Sequence, residues 1–149
     1  MQKRIIVKSE VRNHVKAIIS QKIHKLENFM EFTLEASREV KKTSKYDSIR
    51  EEMQEEIYQM QKQMVSLKDL QRNLAKISDH SSGRIQLGSI VFTNKARFYI
   101  SVSLGEFFFE GDRFYAISEE SPMAKMMFGK QVGDSFTLNN ISQVIEQVW

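Results

Sequence analysis

The chain contains no cysteine, which excludes a disulfide framework and thiolate metal chemistry and leaves a cytoplasmic setting as the expectation. It has one proline, Pro122, and six glycines, and all seven lie beyond residue 81. The first 80 residues therefore lack both residue types that most readily interrupt a helix. No apolar stretch is long enough to cross a bilayer, and the run that follows Lys3 and Arg4 is too short for a signal peptide, so no membrane partner is expected. Charge of neither sign dominates. With 22 basic and 19 acidic residues the net charge is +3, too little for a broad nucleic-acid footprint. The three histidines, His14, His24 and His80, are scattered, and no glycine-rich phosphate loop or nucleophile with a base and an orienting group is present. The expectation is no catalytic residue, no metal, no cofactor and no enzyme.

What is present is helical periodicity. From Ser9 to Glu39 apolar residues recur at Val11, Val15, Ile18/Ile19, Ile23, Leu26, Met30 and Leu34, and from Asp47 to Ser78 at Ile49, Met53, Ile57, Met60, Met64, Leu67, Leu70, Leu74 and Ile77. Steps of three and four place each set on one helix face. The polar break Val40 to Tyr46 is short, so the helices must run antiparallel as a coiled-coil hairpin, an arm of roughly 45 Å at about 1.5 Å per residue. Its tip comprises Lys41, Lys42, Thr43, Ser44, Lys45, Tyr46 and Asp47.

Beyond the polar run Asp79 to Gly83 the texture changes to β-branched and aromatic residues. Residues 1–80 are expected to form the hairpin domain and residues 81–149 a small antiparallel sheet domain with one short helix, α+β in class. Strands are expected at 88–93, 97–103, 113–117, 135–138 and 141–148, about five in all, with turns at Asn94-Lys95 and Asn139-Asn140. Phe107, Phe108 and Phe109 are expected in a connecting loop folded over the core. The short helix has punctuation at both ends. Ser121 suits the N-cap, Pro122 the first turn, and Gly129 a left-handed C-terminal stop.

Ile117-Ser118, Ser121-Pro122, Ala124, Gly129-Lys130 and Gly133-Asp134, in this order and at this spacing, resemble the signature of the Gre family of bacterial transcript cleavage and elongation factors. Gly88 to Val91 and the preceding two-helix hairpin extend the likeness over most of the chain. The resemblance implies a carboxy-terminal domain of the FK506-binding-protein type that docks on RNA polymerase. It also implies a hairpin that enters the polymerase secondary channel. Ser121, Pro122, Met123, Ala124, Lys125, Gly129 and Lys130 are the polymerase-binding candidates that follow, with Lys125 and Lys130 the best placed for direct contact.

In cleavage-competent family members two acidic tip residues help hold Mg²⁺ over the polymerase active site. Here the tip departs. Aligned on Tyr46, the first acid falls on Glu39 but the second on Lys42, and Arg38 to Lys45 sums to +3. Such a tip repels Mg²⁺. The leading expectation is a polymerase-binding regulator, a monomer, that occupies the channel without efficient cleavage, with nascent RNA or DNA as further contacts. One alternative is active cleavage through Glu39, Asp47 or Glu51. Another is a structural or chaperone-like clamp whose arm grips a partner, which an excess of exposed apolar residues along the arm would favour.

Overall fold

The computed structural model describes residues 6–40 and 42–149. Helix α1 spans Lys8–Glu39, a 3₁₀ turn Ser44–Tyr46, and helix α2 Asp47–Ala75. There follow β1 (Ile90–Thr93), β2 (Arg97–Ser101), β3 (Gly105–Phe109), β4 (Asp112–Ser118), helix α3 (Pro122–Met127), β5 (Ser135–Leu138) and β6 (Ile141–Val148). The protein is α+β, an amino-terminal helical hairpin followed by a six-stranded sheet with one short helix. Compactness divides the chain at other places than composition does. One unit combines the described part of residues 1–16 with Arg72–Trp149, and the other is the arm, Ala17–Gln71.

In the sheet unit the strand order is β3-β4-β2-β1-β6-β5. The sheet is mixed and not wholly antiparallel as expected, because β2 and β4 pair in parallel, Phe98 opposite Tyr115 through Ser101 opposite Ser118. The cause is β3. Residues 105–109 are a strand, not the expected loop, and they pair with β4 in a hairpin that sets Phe107 against Phe114. Alternation explains the aromatic run: Phe107 and Phe109 are buried, and Phe108 between them faces solvent. Glu110 and Gly111 close the β3–β4 hairpin at φ 50° and 82°, and Asn139 and Asn140 close β5–β6 at 52° and 65°. Consecutive positive φ values match the right-handed strand twist, and Gly and Asn tolerate them best.

Beneath α3, Ala124 and Met127 join Ile85, Val91, Phe98, Ile100, Phe136 and Ile145 in one buried cluster. A second aromatic group centres on the fully buried Phe114, stacked on Phe107 at 5.4 Å and met edge-on by Phe92 and Phe109. The first turns of α1 and the last turn of α2 belong to this unit. Val11, Val15, Leu74 and Ile77 are buried. Lys8 Nζ donates to the His80 carbonyl at 3.0 Å, and Arg12 donates to the Ile77 carbonyl and pairs with Asp79 at 3.0 Å. Residues 76–80 thus end α2 earlier than the apolar period suggests, as a segment tied to α1. Gly88 passes over it at φ 94°, where a Cβ would stand 2.8 Å from the Ser78 carbonyl oxygen.

In the arm the expected stripes are buried unevenly. Ile19, Ile23, Met60 and Met64 are buried, whereas Leu34 and Ile49, nearer the tip, are exposed. Thr33 also occupies a buried position, its hydroxyl donating to the Phe29 carbonyl at 2.9 Å one turn back. Among the described residues no helix is long and apolar enough to cross a membrane.

Candidate partner-binding surfaces

At the tip, Lys42, Thr43, Ser44, Lys45 and Asp47 are exposed and Tyr46 is half-buried; Lys41 lies outside the described residues. Thr43 leads into the 3₁₀ turn in extended conformation, and the Tyr46 amide donates to its carbonyl at 3.0 Å. The Lys45 ammonium stands 5.7 Å from the centre of the Tyr46 ring. Arg50 closes the turn, donating to the Thr43 carbonyl at 3.3 Å and forming an ion pair with the Asp47 carboxylate. The Arg50 guanidinium therefore competes with a shared metal ion for Oδ1 of Asp47. Glu39 and Glu51 are exposed. Among the described residues no three His, Cys, Asp or Glu side chains are grouped so as to hold a metal.

The segment Ile117 to Asp134 folds as its punctuation demands. The Ser121 hydroxyl accepts from the Ala124 amide at 3.1 Å, and Pro122 occupies the first turn. Gly129 has φ 77°, and its amide donates to the Ile85 carbonyl at 2.8 Å. The Ile85 amide in turn donates to the Lys130 carbonyl at 2.8 Å, which ties the end of α3 to the strand-like lead-in to β1. Gly133 has φ 95°, and Asp134 accepts from the Gln131 amide at 2.9 Å to form the turn into β5. Each of these residues has a local task in the fold.

Placement sorts the contact candidates. Ala124 has no exposed surface, so it cannot touch a partner; the sequence pattern grouped it with its neighbours, but its methyl fills the core under α3. Met123 is half-buried, its sulfur 3.8 Å from the Gln143 amide nitrogen. Pro122, Lys125 and Gly129 are exposed, and Ser121 and Lys130 partly so. Lys125 lies 3.9 Å from Glu120. The sequence suggests that Met123, Met126 or Met127 and Phe128 face the sheet; Met127 does, but Met126 and Phe128 are exposed, as is Val132. Met126 lies off the core-facing side of α3, and Phe128 and Val132 lie beyond its end.

The other surface missed in the sequence lies on the arm. Phe29, Phe32, Tyr58 and Val65 are 57%, 71%, 50% and 61% exposed. Phe29 forms part of two adjoining grooves, each lined from both helices. Two ionisable groups in the sheet unit are perturbed. Burial pulls the Lys8 ammonium below the ordinary lysine value against the pull of Asp79. Burial, reinforced by Asp79 and opposed by Arg12, pushes the Tyr99 phenol up to about 12.

No family model matches the chain, and no curated protein matches it. Four chains of solved structure do. One, described as the structure of the transcription factor Gfh1, is 20% identical with a TM-score of 0.38, covering 88% of this chain and 89% of that one. No residue role is carried across from it.

Proposed function

We propose that this chain is a Gre-type transcription regulator that binds RNA polymerase and directs the tip of its helical hairpin into the secondary channel without stimulating transcript cleavage. The reading makes it a cytoplasmic effector of another enzyme and not an enzyme itself. Support for the polymerase as partner comes from the string Ile117 to Asp134, whose cap, stop and turn residues all act together in one α3 unit with Lys125 and Met126 on its outer side.

The observation that carries the regulatory half is the tip. Asp47, the carboxylate nearest Tyr46, is ion-paired with Arg50, while Lys42 and Lys45 stand exposed. Mg²⁺ needs carboxylate oxygens it can share, and a cationic tip raises the cost of bringing one near. The same charge suits the acidic metal-binding loop of a polymerase or the phosphates of nascent RNA or DNA.

The test combines a pull-down on core polymerase with a cleavage assay on stalled elongation complexes. Binding with no cleavage above background is expected. Absence of binding removes the proposal, and robust cleavage abolished by Asp47→Ala or Glu39→Ala would transfer the protein to the active cleavage class.

A further inference from the structure

The two grooves that meet at Phe29 carry opposite charge. The one running toward Ala17 and Gln71, about 800 Å³, is rimmed by Lys22, Lys25 and Lys62, with no carboxylate in its lining among the described residues. The one running toward the tip, about 810 Å³, is rimmed by Glu52, Glu55 and Glu56, with no cation in its lining among the described residues. Leu26, Phe29, Gln59 and Gln63 are common to both. The result is one apolar-floored trough whose charge reverses at its middle.

A trough of this kind is complementary to itself turned end over end. We propose that the arm binds a second copy of this chain, face to face and antiparallel, about a two-fold axis passing near Phe29 and Gln59. The spacing fits. Lys62 lies three residues after Gln59 and Glu56 three before it, so the axis sets Lys62 of each copy against Glu56 of the other. Lys22 and Lys25 lie seven and four residues from Phe29 on α1, and Glu52 and Glu55 seven and four from Gln59 on α2, so the two sets come to the same levels, roughly 6–10 Å from the axis, on adjacent and not directly facing helices of the two copies. Phe29 itself meets the opposite trough at the centre, where a buried aromatic anchor contributes most. Such symmetry requires only one self-complementary patch.

Size sets the strength. A trough spanning about 18 residues of helix, some 27 Å, across two helices of about 10 Å each, removes roughly 1,100 Å² in total from the two copies. That is the low end for specific association, so the dimer should be weak and should weaken further with salt. A reversible dimer would cover the exposed aromatics and still release the arm to another partner. It does not depend on the polymerase reading.

The test is sedimentation velocity on the full chain from about 1 to 300 μM. The wild type should pass from monomer to dimer. Lys62→Glu and Glu56→Lys, each confirmed folded by circular dichroism, should each remain monomeric, because both central cross-pairs between residues 62 and 56 become like-charged. Mixed in equal amounts they should form a heterodimer, since both cross-pairs are then opposite in sign, and the double variant should dimerise as the wild type does. A loss of helix packing could not produce that rescue. A wild type monomeric throughout overturns the proposal, as does a dimer indifferent to both substitutions or a mixture that stays monomeric. A monomeric chain whose binding to core polymerase is lost on Phe29→Ser would give this face to the polymerase instead.

Discussion

The sheet unit and the helical arm bury their apolar residues to different depths. In the sheet unit large side chains such as Tyr99, Phe114 and Ile100 reach essentially zero exposure, with aromatic rings in contact on several sides. In the arm burial is limited to a single seam, and a side chain as large as Phe32 is mostly in water. The sheet unit has a closed interior, although Phe108, Phe128 and Val132 remain exposed on its surface. The other is a two-helix layer, which has only one inner face to offer, so any apolar residue off that face must be covered by something else or remain exposed. The difference separates what holds the fold from what is available to a partner.

The sharpest way to test this contrast is Phe114→Ala. It removes a ring that touches Phe92, Phe107 and Phe109 with no solvent to refill the space, and should cost about 3–5 kcal/mol. Urea denaturation followed at a sheet-unit probe, the Trp149 fluorescence packed against Phe92, would show the midpoint fall. A loss below about 1 kcal/mol would mean that the aromatic layer relaxes freely and that the sheet unit is no better closed than the arm.

A smaller effect follows from Tyr99. Its folded-state phenol holds a proton up to about 12, whereas the unfolded chain releases it near 10, so the folded state binds more protons in that window. Stability is fully present below pH 10 and falls as pH rises toward 12, by at most about 2–3 kcal/mol. Lys8 acts with the opposite sign and at lower pH, because its folded-state value is depressed and stability rises as pH climbs toward 10.5. Comparing wild type with Tyr99→Phe between pH 8 and 11.5 isolates the phenol: the alkaline loss should shrink in the variant. Equal losses in both would show that Tyr99 is not closed off from water.

Much of this architecture was readable from the residues because the signals were local. The two helices follow from a period of three and four, the β5–β6 turn from Asn139-Asn140, and the α3 cap from Ser121-Pro122. What was not readable depends on distant partners or on masked patterns. Three successive phenylalanines conceal the alternation that marks β3, and the parallel pairing of β2 with β4 is invisible until β3 is known to be a strand. Lys8 meets the His80 carbonyl across 72 residues, and Arg12 meets Asp79 across a similar gap. For the candidate surfaces the sequence indicated the tip charge but not the Arg50 ion pair that occupies Asp47. The exposed Phe29 and Phe32 could have been found. Both lie outside the stripe through Ile23, Leu26 and Met30, and an aromatic off the stripe of a two-helix arm has no core to enter.

The least disruptive substitution tests the arm most directly. Phe32 is 71% exposed, so Phe32→Ser removes little buried surface within one chain and should change stability by no more than about 0.5 kcal/mol in dilute solution. It lies one turn from Phe29, on the row that borders the trough, and an association that covers it would stabilise the folded chain by mass action as concentration rises. The thermal midpoint of the wild type should therefore climb between about 1 and 300 μM, while that of the variant climbs less. An equal drop at both concentrations would show that Phe32 packs inside its own arm, making the arm as self-contained as the sheet unit. Identical curves for variant and wild type would place Phe32 outside any interface between copies.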